Sequence, residues 1–241
     1  MDEETPRTAA LLDELAPETL SRNVARVLAD LDANRYGDNP PAKLIAVTKT
    51  VSPAIINRLQ GLGILDIAEN RAQVALPKLP LLSPDFHLHW IGRLQTNKVK
   101  DIIDKVCMLH SLDRLPLAQE VERRAAGRGI VLPALVQVNI AREAQKAGLD
   151  VSEVRPFLRQ MKDFPNIRVV GLMSIMPLTQ DEERLTELFR GVRTLFERLR
   201  DEAIDGVRMD ELSMGMSHDY TIAAREGATM VRVGSALYRA E

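Results

Sequence analysis

The residues that can do chemistry in this chain collect at the ends of short apolar runs. Lys49 directly closes LIAVTK, so its amine sits at the rim of a strand with no polar loop to carry it away. A lysine there, with apolar neighbours, can act as a nucleophile toward an aldehyde and form a Schiff base. A strand-ending lysine that only reaches solvent or a carboxylate is equally open on position alone. Two further segments, LSMGMSHD (212–219) and MVRVGSALY (230–238), place glycine near serine: Gly215 and Ser217 in one, Gly234 and Ser235 in the other. Glycine lets backbone N–H groups approach an anion, and serine adds a hydroxyl donor. Arg232 shares a strand face with Met230 and Gly234, and a guanidinium on a strand covered from both sides must find a partner. That partner is either a carboxylate such as Asp210 or Glu211 or an acceptor atom of a ligand. An amine, an anion cradle and an inward arginine fit pyridoxal phosphate, which carries an aldehyde, a phosphate and a ring nitrogen.

These residues need a frame. Residues 17–33 carry Leu20, Val24, Val27, Leu28 and Leu31 on one stripe, the pattern of an amphipathic helix opened by Pro17. Beyond it, apolar runs at 44–48, 64–67, 87–91, 106–110, 132–139, 167–172, 209–213 and 229–233 alternate with helical periodicity, which calls for parallel strands with crossover helices. Eight such units close most naturally as an α/β fold of the (β/α)8 TIM barrel type. A doubly wound open sheet is the runner-up, but no GxGxxG follows the first strand. After Gly234 only SALYRAE remains, too short for a covering helix, so helix 17–33 is expected to pack outside the barrel where strands one and eight meet. In such a barrel the working groups lie at the C-terminal strand ends, and the loops after strands seven and eight form the usual phosphate site.

Composition narrows the function classes. The 241 residues are 45% hydrophobic and 27% charged, proportions of a globular chain, and the expectation is one domain over 1–241. With 32 Lys and Arg against 34 Asp and Glu, the net charge of -2 disfavours nucleic-acid binding. The single cysteine, Cys107, cannot form an intramolecular disulfide and reads as core. The acidic start lacks a leader pattern and no run reaches the roughly 18 apolar residues of a membrane span. A soluble, cytoplasmic protein is expected. His87 and His89 share a strand face, yet two ligands need a third and fourth, so no metal site is assigned. Arg93, Lys98 and Lys100 read as a solvated face. The methionines near strands six to eight, Met173, Met176, Met209, Met214, Met216 and Met230, read as core filling.

The chain resembles the YggS/PROSC family of pyridoxal phosphate homeostasis proteins over nearly its whole length. The matching pieces are AVTKT with Lys49, AENRAQ with Glu69 and Asn70, HWIGRLQTNK from His89, LVQVNIA with Asn139, KAG at 146–148, GLMSIMP from Gly171, LSMGMSHDY from Leu212 and GATMVRVGSALY from Gly227. The resemblance implies a monomeric (β/α)8 barrel of the alanine racemase N-terminal domain type that holds pyridoxal phosphate. It implies Lys49 as the Schiff-base lysine, Ser217, Gly234 and Ser235 at the phosphate with Met214 and Gly215 in the same loop, Arg232 near the pyridine nitrogen and Asn70 beside the ring. The chain departs from the family at Ala68, where GEN is usual, and at AREAQKAG, where Gln145 precedes Lys146. What the resemblance implies is binding and homeostasis of the cofactor, with pyridoxal phosphate-dependent apo-enzymes as recipients, and not efficient turnover.

Two observations support that expectation. Racemases of related fold take a second acid/base from another domain or subunit, and only eight residues follow Val233. Arginine offers donors and no acceptor, so the ring nitrogen it meets should be unprotonated, a weaker electron sink. The alternatives are an amino-acid racemase of the alanine racemase type, a class I aldolase using Lys49 on a sugar phosphate, and a protein-interaction barrel.

Overall fold

The apolar runs from Leu44 to Val233 are buried almost throughout, as strands covered on both faces must be. The computed structural model describes residues 11–143 and 147–239; Gln145 and Lys146 lie outside them. Within these residues the strands are β1 (Lys43–Val47), β2 (Asp66–Glu69), β3 (His87–Trp90), β4 (Met108–Leu112), β5 (Leu132–Val138), β6 (Ile167–Ser174), β7 (Val207–Ser213) and β8 (Met230–Val233). They pair in parallel in chain order and close into a barrel, β8 joining β1 through Lys43↔Met230, Leu44↔Val231, Ile45↔Arg232 and Ala46↔Val233. The α-helices are α1 (Pro17–Ala33), α2 (Pro53–Gln60), α3 (Ala72–Lys78), α4 (Val99–Ile102), α5 (Leu115–Ala126), α6 (Val151–Gln160), α7 (Glu182–Asp201), α8 (Tyr220–Arg225) and α9 (Ser235–Tyr238).

Two strands begin two residues later than the apolar runs predict. Ile64 is buried, but its N–H bonds Leu59 O to close α2, with Gly63 at φ +76° making the turn, so pairing starts at Asp66. In β4 the regular ladder begins at Met108, after Cys107 N–H meets Leu88 O. At the other ends β6 runs on to Ser174 and β7 begins at Val207, with register shifts in β4–β5, β5–β6 and β6–β7.

The helix α1 closes the wall where β8 and β1 meet. Leu20, Val24, Val27 and Leu31 are buried, each Leu or Val side chain contributing about 1.5–3 kcal/mol. Leu28, expected on the same stripe, is exposed because it falls on the stripe's edge. Asn23 Nδ2 donates to Leu237 O at 3.1 Å and Arg239 O at 2.9 Å, and Tyr220 donates to Asp30 Oδ2. Thus the four-residue α9 packs against α1, whose Asn23 bonds its C-terminal end.

The barrel interior holds two apolar patches. Ile45, Val47, Ala68 and Met230 form one, and Leu135, Val170 and Met173 the other, with Met108 touching both. Val231 and Val233 point into the outer layer between strands and helices, leaving Met230 and Arg232 inward as strand alternation requires. No helix among the described residues is long and apolar enough to cross a membrane.

Candidate functional site

Lys49 stands in the turn after β1, and its main chain is anchored on both sides. On one side Thr48 donates its N–H to Ala68 O at 2.9 Å and its hydroxyl to Glu69 Oε1 at 2.8 Å. On the other, Leu12 N–H meets Thr50 O at 2.8 Å and Ser52 N–H meets Leu12 O at 3.0 Å, so the segment before α1 clamps the loop. Lys49 is exposed, in the turn at 49–50, and not enclosed by apolar neighbours as its strand implied. Among the described residues its amine has no hydrogen-bond or ion-pair partner.

The loops after β7 and β8 interlock. Ser217 Oγ accepts from Gly234 N–H at 3.0 Å and Ala236 N–H at 3.3 Å. Two N–H groups therefore occupy the hydroxyl's acceptor side, and its own hydrogen is free to donate to an anion. Gly215 permits this packing: φ is +93°, and a Cβ there would lie 2.6 Å from the Ala223 Cβ. Its carbonyl receives Arg232 N–H at 3.0 Å, extending the β7–β8 ladder. Met214 is wholly buried in the outer core and joins the loop only through its main chain, its N–H bonding Met230 O at 3.1 Å. Ser235 is exposed at the first turn of α9, beside Gly234.

Arg232 is 3% exposed, and among the described residues no carboxylate reaches salt-bridge distance of it. Asp210 and Glu211, its expected ion-pair candidates, are engaged elsewhere: Asp210 with Arg208 at 2.7 Å, Glu211 with the Thr229 hydroxyl at 2.6 Å. Arg232 instead donates from Nη1 to Ser213 Oγ at 2.6 Å and from Nη2 to Ser174 O at 2.8 Å. Burial pulls its guanidinium down to about 10, with the charge of Asp219 working the other way, so it stays a cation at neutral pH. Three of its five N–H groups have no partner among the described residues. Asp219 ties the β7 loop by accepting from Met216 N–H at 2.5 Å, and burial raises its carboxyl above the usual range.

Asn70 follows β2, its Oδ1 buried without a partner. Gly92 lies hard against it, since a Cβ there would sit 2.2 Å from Asn70 O. Beneath, buried Glu69 pairs with buried Lys78 at 3.0 Å, and Lys78 also donates to Thr48 O at 2.8 Å. This ion pair braces the wall under Lys49.

The alanine racemase N-terminal domain family model matches residues 32–241. A pyridoxal phosphate homeostasis protein of Aquifex aeolicus is 40% identical over 92% of this chain and 97% of its own length, and that of Pseudomonas aeruginosa is 38% identical over 92% and 96%. The chain belongs to the pyridoxal phosphate homeostasis protein family. Its structural relatives include PipY of Synechococcus elongatus, solved with pyridoxal phosphate bound, at TM-score 0.81, 31% identity, and coverage of 91% of this chain and all of that one. An alanine racemase of Corynebacterium glutamicum shares the fold alone, at TM-score 0.71 and 14% identity.

In this pyridoxal phosphate homeostasis family chain, sequence reasoning missed Ser174, Ser213 and Asp219 around the arginine. Their signal was present: two serines close GLMS and DELS, each ending a strand. His89, read as half of a histidine pair, instead has both ring nitrogens engaged by Asp66 and His110, and His87 is exposed. Among the described residues no group of three His, Cys, Asp or Glu is placed to hold a metal ion. Burial pushes the half-buried Cys107 thiol up to about 12, which leaves it unreactive at neutral pH.

Proposed function

We propose that this chain binds pyridoxal 5'-phosphate and serves intracellular homeostasis of that cofactor. The observation that carries the reading is Arg232, a buried cation met only by neutral partners, at the end of a barrel whose β7 and β8 loops are already locked together. A buried charge so placed is costly unless an acceptor completes it. Bound pyridoxal phosphate supplies an aldehyde open to capture by a lysine amine, a phosphate dianion and a ring nitrogen acceptor.

The chain's own groups fit those three demands. Lys49 offers an unpartnered amine on a pinned main chain. Ser217 offers a hydroxyl hydrogen, and Gly234 and Ser235 continue the same rim, with Met214 and Gly215 forming its floor. Arg232 offers N–H groups to the ring nitrogen, and Asn70 flanks the ring. The name of the curated relatives and the cofactor-bound PipY support this reading. A cytoplasmic monomer that passes the cofactor to apo-enzymes is the cellular form of the same proposal.

Titration of the protein with pyridoxal phosphate, followed by absorbance before and after borohydride, tests it. The wild type should gain a new band that borohydride converts to an irreversible protein adduct, and Lys49→Ala should gain none. No band in the wild type overturns the proposal.

A further inference from the structure

A line of hydrogen bonds crosses the barrel interior away from the rim. Asp66, at the start of β2, accepts at Oδ1 from His89 Nε2 at 2.9 Å; His89 Nδ1 and His110 Nε2 are 2.9 Å apart; His110 Nδ1 and Ser213 Oγ are 3.0 Å apart; Arg232 Nη1 donates to Ser213 Oγ at 2.6 Å. The two rings meet edge on, at 78°. His89, His110 and Ser213 are sealed from water, while the Asp66 side chain is 21% exposed at the opposite end. Among the described residues the ring nitrogens of His89 and His110 have no hydrogen-bond partner outside this line.

The chemistry at the two ends fixes the direction of every bond. A guanidinium only donates, so Arg232 gives a hydrogen to Ser213 Oγ. The serine hydrogen then needs an acceptor, and His110 Nδ1 is the one in reach. A bare Nδ1 on a neutral imidazole puts the proton on Nε2, which donates to His89 Nδ1. That nitrogen is bare in turn, and His89 Nε2–H donates to the Asp66 carboxylate. Every donor meets an acceptor. The reverse direction strands the serine hydrogen and requires a protonated Asp66, although the hydrogen bond from His89 and the charge of Lys43 work against burial and that carboxyl is held low. Charging His89 would turn the His110 proton toward Ser213 and strand the same hydrogen. Burial, with the charge of Arg232 beside it, pushes His110 well below the usual imidazole value, in keeping with a neutral ring.

We infer that Asp66, His89, His110 and Ser213 are positioning residues for Arg232: a one-directional line that keeps both histidines as neutral Nε2–H tautomers and holds the guanidinium with its free donors toward the ring-nitrogen site. The consequence for the ligand rests on the cofactor reading, whereas the tautomers are a property of the chain alone. The line also gives the barrel a reason to hold histidines where bulky branched side chains usually fill the interior.

Long-range 1H–15N spectra of the ligand-free protein at neutral pH read the tautomers directly. The chain has four histidines, and His89→Gln and His110→Gln assign the two signals. Both should show a protonated Nε2 and a bare Nδ1; an Nδ1–H tautomer or a doubly protonated ring at either position overturns the inference. Pyridoxal phosphate affinity then tests the positioning. His110→Leu keeps volume but breaks the line, and should weaken binding about tenfold. His110→Gln can accept from Ser213 through Oε1 and donate to His89 through Nε2, and should recover most of that loss. Unchanged affinity in the leucine variant, or equal loss in both, overturns the positioning role. A wild type that binds no pyridoxal phosphate sinks the cofactor reading and leaves the tautomer test standing.

Discussion

Lys78 and Arg232 are equally hidden from water, each 3% exposed, yet the protein treats them differently. Lys78, on the outer side of β2, has a carboxylate at 3.0 Å and a carbonyl at 2.8 Å, both from its own chain. Arg232, inside the barrel, has a serine hydroxyl and a carbonyl, and no carboxylate in contact among the described residues. The cation that holds the wall is balanced by the fold, and the cation at the site is left short of charge. The difference separates a structural charge from one that waits for a ligand.

Removing each cation should expose that contrast. Lys78→Met strands the buried Glu69 carboxylate and should cost about 3–5 kcal/mol of stability in a denaturant titration, the usual effect of breaking a buried pair. Arg232→Met removes a charge with no carboxylate in contact among the described residues, so ligand-free stability should stay within about 1 kcal/mol or rise, because burying apolar volume replaces an ion that only the more distant Asp219 offsets. The same substitution should weaken pyridoxal phosphate binding roughly 10–100-fold, the loss of a charge-assisted hydrogen bond of about 1.5–3 kcal/mol. Equal destabilisation by the two substitutions would erase the distinction.

Smaller effects sharpen it. Gly215→Ala brings a Cβ to 2.6 Å of Ala223 at φ +93° and should cost about 1–3 kcal/mol while loosening the β7 loop against Ser217. Asp66 gives the smallest signal, and its sign is fixed by its lowered carboxyl. Ionised Asp66 stabilises the fold at pH above the ordinary value of 3.8, and that contribution is lost as the pH falls through the lower folded value. The stability gap between wild type and Asp66→Asn should therefore shrink on acidification below 3.8.

Much of this frame was legible in the sequence because it depends on local patterns. The eight apolar runs, the bounds of α1 and the inward parity of Arg232 all follow from periods of 2 and 3.6 residues. The meeting of the two Gly/Ser loops followed from the order of strands around a barrel. What was hidden depends on register between distant strands. The partners of Arg232 sit on β6 and β7, where bulges shift the pairing, whereas the sequence offered a carboxylate such as Asp210 or Glu211, or a ligand's acceptor atom. The clamp of Leu12 on the loop after Lys49 comes from a segment with no strand pattern. The Glu69–Lys78 pair joins a strand end to a helix end, and nothing in either local pattern says that the two meet in the layer between strand and helix.

Capture of pyridoxal phosphate by Lys49 is read most directly by peptide mapping of the protein after incubation with pyridoxal phosphate and borohydride reduction. One dominant adduct is expected, on the peptide carrying Lys49, and none on that peptide from Lys49→Ala. A dominant adduct on any other lysine, or no adduct at all, would contradict it.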